Sequence, residues 1–246
     1  MTLVLLSASD AESLAVLDVS GAQRLVIAPG AFAAPSNASR IVLRVPSAIT
    51  GHAPFAVFPP AAAISLAETG APLPVSPDGV FSAVGGPGVP VPAGPTEIQP
   101  VVAAIRAAGP ARAVPKGRAG KAEEPTDEEF GKAAAWTVGV GSGLDAPGRT
   151  SFLRVNYTGD VARLEVNGTL LTDHQNTGER VFTVGLTRFR GLGVFDKPRT
   201  LSILPLSKSA PVYLPSPPSF ADGNDTALKL HSVKVDWAQD VELDVS

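Results

Sequence analysis

An all-β fold is the class the sequence predicts, and three observations carry it. Gly and Pro number 24 each among 246 residues, and both penalise helix interiors. The apolar runs are short and recur roughly every 8–12 residues with turn residues between them, as in a sandwich or barrel. Several of these runs alternate apolar and polar residues, the period of a half-buried strand. The expected architecture is two β-sandwich or jelly-roll-like units, residues 1–106 and 128–246. A Pro/Gly/Ala-rich linker over 107–127 joins them, with at most one short helix.

The first unit is read from residues 1–60 most clearly. The run MTLVLL at 1–6 has no basic residue before it, so Thr2–Leu6 reads as a first strand and not as a signal peptide. Leu14, Val16 and Val19 lie in a second strand. Arg24–Ala28, Ile41–Val45 and Phe55–Phe58 follow, the last closed by Pro59 and Pro60. Ser20-Gly21, Pro29-Gly30 and Pro35-Ser36-Asn37 supply the turns. Residues 61–100 are richer in Pro and Gly, which confines strands there to sheet edges.

Residues 107–127 hold few large apolar side chains, with basic residues first and acidic ones after. That composition predicts a mobile or extended segment. Thr126–Ala135 is the one helix candidate: Thr126 suits an N-cap, and Glu129 three residues later completes a capping box.

The second unit is more strongly patterned. Trp136–Val140, Ser151–Tyr157, Val161–Val166 and Thr169–Thr172 read as strands. Asn167-Gly168 between the last two is a hairpin signal, because both turn positions need positive φ. Val181–Leu186, Leu201–Leu206, Ala227–Val235 and Val241–Val245 complete about seven strands, enough for a jelly roll.

Composition excludes several functions. The net charge is −3 and no basic stripe is interleaved with aromatics, so no nucleic-acid partner is expected. There is no cysteine, which removes disulfides, thiolate catalysis and cysteine metal sites. No run reaches the roughly 18–20 apolar residues of a membrane span, so a soluble chain with no membrane partner is expected. His52, His174 and His231 show no zinc-type spacing. Val140-Gly141-Ser142-Gly143 is a glycine-rich turn and not a hydrolase nucleophile elbow. No phosphate-binding G-x-x-x-x-G-K-[ST] loop is present.

One ordered series of motifs is distinctive. It begins with Tyr157-Thr158-Gly159-Asp160-Val161-Ala162-Arg163-Leu164 and passes through a hairpin to Leu170-Leu171-Thr172-Asp173. Asn176-Thr177-Gly178, Phe182-Thr183-Val184-Gly185-Leu186, Leu201-Ser202-Ile203-Leu204-Pro205-Leu206 and Ala210-Pro211-Val212-Tyr213-Leu214 follow. This order resembles the C-terminal, non-catalytic jelly-roll region of bacterial β-galactosidases of glycoside hydrolase family 35. Leu17-Asp18-Val19, Arg24-Leu25-Val26-Ile27 and Phe55-Ala56-Val57-Phe58-Pro59 are similar to the segment that precedes it. The resemblance is densest over 150–215 and thin over 60–125. It implies a catalytic pair of glutamates carried elsewhere, on a (β/α)₈ barrel. Such a barrel needs alternating strands and helices over roughly 250 residues, and this chain has neither that alternation nor the family's Asn-Glu pair.

Glycoside hydrolysis requires two carboxylates about 5–10 Å apart. Asp160 and Glu165 are close in sequence, but a spacing of five places them on opposite faces of one strand. Asp160 instead reads as a turn residue beside Gly159, accepting backbone N–H groups or pairing with Arg163, and no catalytic residue is assigned. Asp173, His174, Gln175 and Asn176 form a polar cluster that suits either a sugar-facing loop or a solvated turn. Among the aromatics, Trp136, Trp237, Tyr157 and Tyr213 have the shape to stack on a sugar, though tryptophans in strands also anchor cores. The carbohydrate-contact candidates are therefore Asp173, His174, Asn176, Trp136 and Trp237. Asp222-Gly223-Asn224-Asp225 is oxygen-rich, and Asp222, Asn224 and Asp225 are candidate ligands for a structural calcium, although the bidentate Glu of an EF-hand is missing. No other cofactor is expected. Asn37, Asn156, Asn167 and Asn224 open N-x-Ser/Thr sequences, but the resemblance is bacterial and Asn167 is accounted for by the hairpin.

Three roles follow. The chain is an accessory region or subunit that braces a glycosidase barrel and contacts oligosaccharide, with an exposed apolar patch where the barrel docks. Alternatively it is a free-standing carbohydrate-binding module, or a jelly-roll assembly protein.

Overall fold

A computed structural model describes residues 6–246 except 38–39, 86–87, 92–97, 142, 179, 213 and 221–222. The first expected strand, Thr2–Leu6, falls almost wholly outside the described residues. The chain divides into two compact units. One is Met1–Thr96 with Ala146–Thr150 and Trp237–Ser246; the other is Glu97–Asp145 with Ser151–Asp236. Both are built from antiparallel sheets, and the fold is all-β.

The first unit contains β1 (Leu14–Val19), β2 (Ala22–Ile27), β3 (Phe32–Asn37), β4 (Arg40–Pro46), β5 (Ala56–Phe58), β6 (Ile64–Leu66), β7 (Val75–Asp78) and β8 (Phe81–Val84). The second contains β9 (Val101–Arg106), β10 (Ala134–Gly139), β11 (Arg149–Thr158), β12 (Val161–Val166), β13 (Thr169–Gln175), β14 (Phe182–Gly185) and β15 (Arg199–Ile203). The first two residues of β11 belong to the first unit. The last strand, β16 (Lys229–Val245), begins in the second unit and ends in the first.

In the first unit one sheet runs β1-β2-β5-β8-β7. The β1–β2 hairpin turns on Ser20 and Gly21, both at positive φ, as a two-residue loop demands. A second sheet places β4 between β3 and the C-terminal half of β16. Val19, Val26, Ile41, Leu43, Val57, Ile64 and Leu243 fill the core between them. On the other side of β4, Arg40 bonds Asp244 at 2.9 Å and Arg44 bonds Asp240 at 2.7 Å. Each pair faces across the β4–β16 register, and opposite charges in register oppose a one-residue slip.

β3 was not foreseen, because Pro35-Ser36-Asn37 reads as a turn. The strand forms at the edge of its sheet, where a missing N–H costs no ladder bond. Val16 was grouped with Leu14 and Val19, yet Leu17 and Val19 point inward and Val16 outward. The two expected C-terminal strands are one, Lys229–Val245, joined by the consecutively buried Trp237, Ala238 and Gln239.

In the second unit a five-stranded sheet runs β9-β10-β15-β12-β13. β11 pairs with β14 and neighbours the first half of β16. Ser151, Leu153, Val155 and Tyr157 of β11 are buried in strict alternation. Leu164 of β12 and Leu201 of β15, both fully buried, oppose each other in register. The β12–β13 hairpin turns where expected, with Asn167 at φ 48° and Gly168 at φ 77°.

The helix foreseen over 126–135 is a single turn, Asp127–Phe130 (α2), with the capping box of Thr126 and Glu129 complete. Gly131 ends it, and β10 starts at Ala134. Another short helix, Ala8–Glu12 (α1), is capped by Ser7, so the expected limit of one helix is exceeded. Among the described residues no helix is long and apolar enough to cross a membrane.

Residues 97–127 fall in the second unit, whereas the sequence set 1–106 apart as a domain and 107–127 as a linker. β9 pairs along β10. The segment after it closes on itself through Glu123 N–H to Pro115 carbonyl and Gly117 N–H to Lys121 carbonyl bonds, at 3.0 and 2.8 Å. Backbone pairing and one buried arginine hold it, which composition does not reveal.

The hairpin gives a direct test. A Cβ on Gly168 would meet nothing within 4 Å, so only backbone conformation penalises a side chain. Gly168→Ala is expected to cost about 1–2 kcal/mol in urea unfolding, with an unchanged circular dichroism spectrum.

Candidate functional site

The motif strand sets the site. β11 ends at Thr158, and Gly159-Asp160 turns the chain into β12. Asp160 is 8% exposed. Its Oδ2 accepts from Arg112 Nε at 2.8 Å, and the Arg112 side chain is 5% exposed. Arg112 Nη2 donates to the Glu123 carbonyl at 3.0 Å, and Glu129 Oε2 lies 3.9 Å from Nη1. The expected partner Arg163 is occupied otherwise: it pairs with Asp127 and lies over the Phe130 ring, 3.9 Å from its centroid. Sequence proximity favoured Arg163, whereas the true partner comes from 48 residues upstream.

Asn176 follows β13 and completes the turn. Its N–H donates to the Asp160 carbonyl at 3.0 Å and its Nδ2 to the Gly159 carbonyl at 3.1 Å. Its Oδ1 accepts from Gly178 N–H at 2.8 Å, a side-chain-made turn. Gly178 has φ 82°, and a Cβ there would sit 2.0 Å from the Ser216 carbonyl oxygen. Only glycine fits both demands.

Around these groups lies a depression of about 330 Å³, lined among others by Arg112, Lys121, Glu123, Asp160, Gln175 and Thr177. Leu206, Val212 and Leu214 add apolar surface. Two atoms of this lining, Arg112 Nη1 and Thr177 Oγ1, are buried without a hydrogen-bond partner. A second depression, of about 470 Å³, has Arg163, Glu165, Asp127, Thr200 and Ser202 in its lining. Asp160 and Glu165 thus line different depressions, and Asp160 is committed to an arginine.

The remaining candidates separate. Asp173 is exposed on β13, which is an edge strand. His174 is half-buried, its ring stacked on Phe182 at 5.1 Å and edge-on to Tyr157 at 5.9 Å. The Tyr157 hydroxyl donates to the His174 carbonyl at 2.8 Å and lies 3.1 Å from His174 Nδ1. A hydroxyl has one proton, so the ring must donate from Nδ1. Burial pushes the His174 pKa below its usual 6.5 against the opposing pull of Asp173, and burial raises the Tyr157 pKa. His174 is therefore a neutral packing group with one nitrogen engaged. Trp136 opposes Leu201, which opposes Leu164, so its ring shares the side of the sheet on which those two leucines are buried. Trp237, in the first unit, is 8% exposed with the Arg149 guanidinium 4.5 Å from its ring centroid. Trp237 offers no free face as a sugar platform, Trp136 is partly exposed, and Tyr213 lies outside the described residues. Sequence inspection missed Arg112, Lys121, Glu123 and Thr177, because nothing local ties them to Asp160.

Of the oxygen-rich stretch, Asn224 and Asp225 are exposed, the Asp225 carbonyl accepts from Lys208 N–H, and Asp222 lies outside the described residues. Among the described residues no group of three or more His, Asp or Glu side chains is placed to hold a metal ion.

The buried ion pair and the half-buried histidine each predict a measurable effect. Asp160→Ala leaves the buried Arg112 guanidinium with only the distant Glu129 as an ionic partner, so a loss of about 3–5 kcal/mol is expected. Arg112→Met combined with Asp160→Leu should recover most of it in the same urea titration. For His174, the depressed folded pKa means that the unfolded chain takes up the proton first. Its contribution is full above pH 6.5 and is lost as pH falls below it. The unfolding midpoint should therefore fall more steeply from about pH 7 to about pH 5 in the native chain than in His174→Gln.

No family model matches the chain, and no curated protein matches it. Among solved structures, the rhamnosidase from Novosphingobium sp. PP1Y is similar over 87% of this chain and 23% of its own, at 13% identity and a TM-score of 0.28. A likeness that low transfers neither fold nor chemistry to this chain, which spans under a quarter of that protein.

Proposed function

We propose that this chain is a non-catalytic accessory region of a glycoside hydrolase of β-galactosidase type, and that it docks on the barrel carrying the catalytic glutamates. The ordered motif series from Tyr157 to Leu214, which resembles that family, supports the choice of enzyme type. The observation that carries the docking role is strand β9.

β9 reads Val-Val-Ala-Ala-Ile-Arg, and all six residues are exposed. Val101 is 73% and Ile105 56% exposed. Among the described residues the strand pairs only with β10, so its other edge presents unpaired N–H and C=O groups. Over Val101–Ile105 this edge strand carries no charged side chain, and an exposed apolar edge is an association hazard that isolated proteins avoid. Arg106 fastens the C-terminal end through bonds to the Ala133 and Phe130 carbonyls at 2.7 and 2.9 Å. The strand is held in place while its apolar residues stay outside, which suits a surface that another protein covers. The single carboxylate at the motif turn, Asp160, is used structurally, which fits a region that braces a site instead of forming one.

A chromogenic β-galactoside should not be turned over by the chain alone. Mixed with its barrel, the chain should raise the barrel's activity or its melting temperature. Val101→Lys with Ile105→Glu should weaken that association more than tenfold, about 1.4 kcal/mol, while the chain stays folded. Turnover by the chain alone that is abolished in Glu165→Gln would refute the proposal.

A further inference from the structure

We infer that the depression beside Asp160 binds a single neutral sugar ring. This deepens the carbohydrate contact within the accessory reading, and it rests on that reading for the choice of probes.

Size comes first. The space of about 330 Å³ lies at the small end of the roughly 300–1,000 Å³ of ligand pockets. One ring fits such a space, and an extended chain does not. Charge comes next. Arg112 and Lys121 in the lining are balanced by Glu123 and Asp160, and Arg112 is already paired with Asp160 at 2.8 Å. No net field selects an ion.

The chemistry of the lining then narrows the class. Gln175, Asn176 and Thr177 bring amides and a hydroxyl, and Leu206, Pro211, Val212 and Leu214 bring aliphatic side chains. A pyranose has this division: hydroxyls around its edge, C–H groups on its faces. A purely apolar ligand would leave the amides unmatched, and an ion would gain nothing from the leucines.

Unmet hydrogen-bonding capacity is the second, independent observation. Thr177 Oγ1 and Arg112 Nη1 are buried and unpartnered, while buried polar atoms are almost always paired. Asn176 is spent on Gly159 and Gly178, so it shapes the site, and Thr177 and Arg112 are the groups with capacity to spare. The sugar's hydroxyls supply the missing partners.

The test uses the intact chain alone in NMR titrations of its backbone amides. The neutral probes are methyl β-D-galactopyranoside and methyl α-L-rhamnopyranoside; the charged ones are D-galacturonate and inorganic phosphate. At least one neutral glycoside should shift the amides of Glu123 and of Gln175 to Gly178. Galacturonate should bind no more tightly than the neutral glycosides, because Arg112 is already paired with Asp160 and the charge of Lys121 is balanced by Glu123 in the lining. Thr177→Val removes a hydroxyl that has no partner, so the chain should fold normally and bind the neutral sugar about three- to tenfold more weakly, the share of one hydrogen bond. The inference is overturned if neither neutral glycoside shifts these amides, if only the charged probes bind, or if Thr177→Val leaves affinity unchanged. Because no barrel is present, a failure here leaves the docking proposal standing, and a failure of docking leaves this result untouched.

Discussion

Arg112 enters the interior from a stretch of chain with almost nothing else to bury. Residues 107–127 consist mainly of Ala, Gly, Pro and charged side chains, so hydrophobic burial contributes little to their order. A buried guanidinium is costly unless paired, and this one has a single good partner, Asp160 at 2.8 Å. That requirement fixes where the segment lies. It sets Lys121 and Glu123 next to the Asn176 turn and so produces the depression itself. Asp160 in turn anchors Asn176 through its backbone carbonyl. The local order of this part of the unit therefore follows from one charge pair and not from a patch of core.

This dependence explains what the sequence revealed and what it hid. Strands with one buried face announce themselves, because alternation is local: β11 and the β12–β13 hairpin were legible to within a few residues. The capping box of α2 was legible for the same reason, since Thr126 and Glu129 lie three residues apart. β3 and β9 were not legible. The first contains proline at an edge, and the second has no buried face from which a period could arise. The site was hidden more deeply. Asp160 pointed to Arg163 by proximity, yet Arg163 is drawn to Asp127 and the Phe130 ring. No rule of spacing connects position 112 to position 160.

The aromatic residues teach a related lesson. A tryptophan in a strand is equally suited to a core and to a sugar platform, and sequence alone does not separate the two. Burial and contacts do: Trp237 is 8% exposed with the Arg149 guanidinium over its ring. His174 looked like part of a polar cluster, and its neighbours Phe182 and Tyr157 make it an aromatic packing element instead. Polar identity in the chain did not imply polar surroundings in the fold.

β9 and the depression beside Asp160 offer two kinds of unmet bonding capacity, and they suit different partners. β9 offers a row of backbone groups flanked by valine and isoleucine. That capacity is spread along the strand, tolerant of side-chain identity, and matched by another extended backbone or an apolar protein surface. The depression offers few polar atoms in fixed positions. Such a site discriminates by whether each atom is matched, because a buried donor left unpaired costs more than a made bond returns. A folded domain does not enter about 330 Å³, and a sugar ring gains little from an open strand edge. Hence the proposed docking and the proposed recognition are separable, each resting on groups the other does not use.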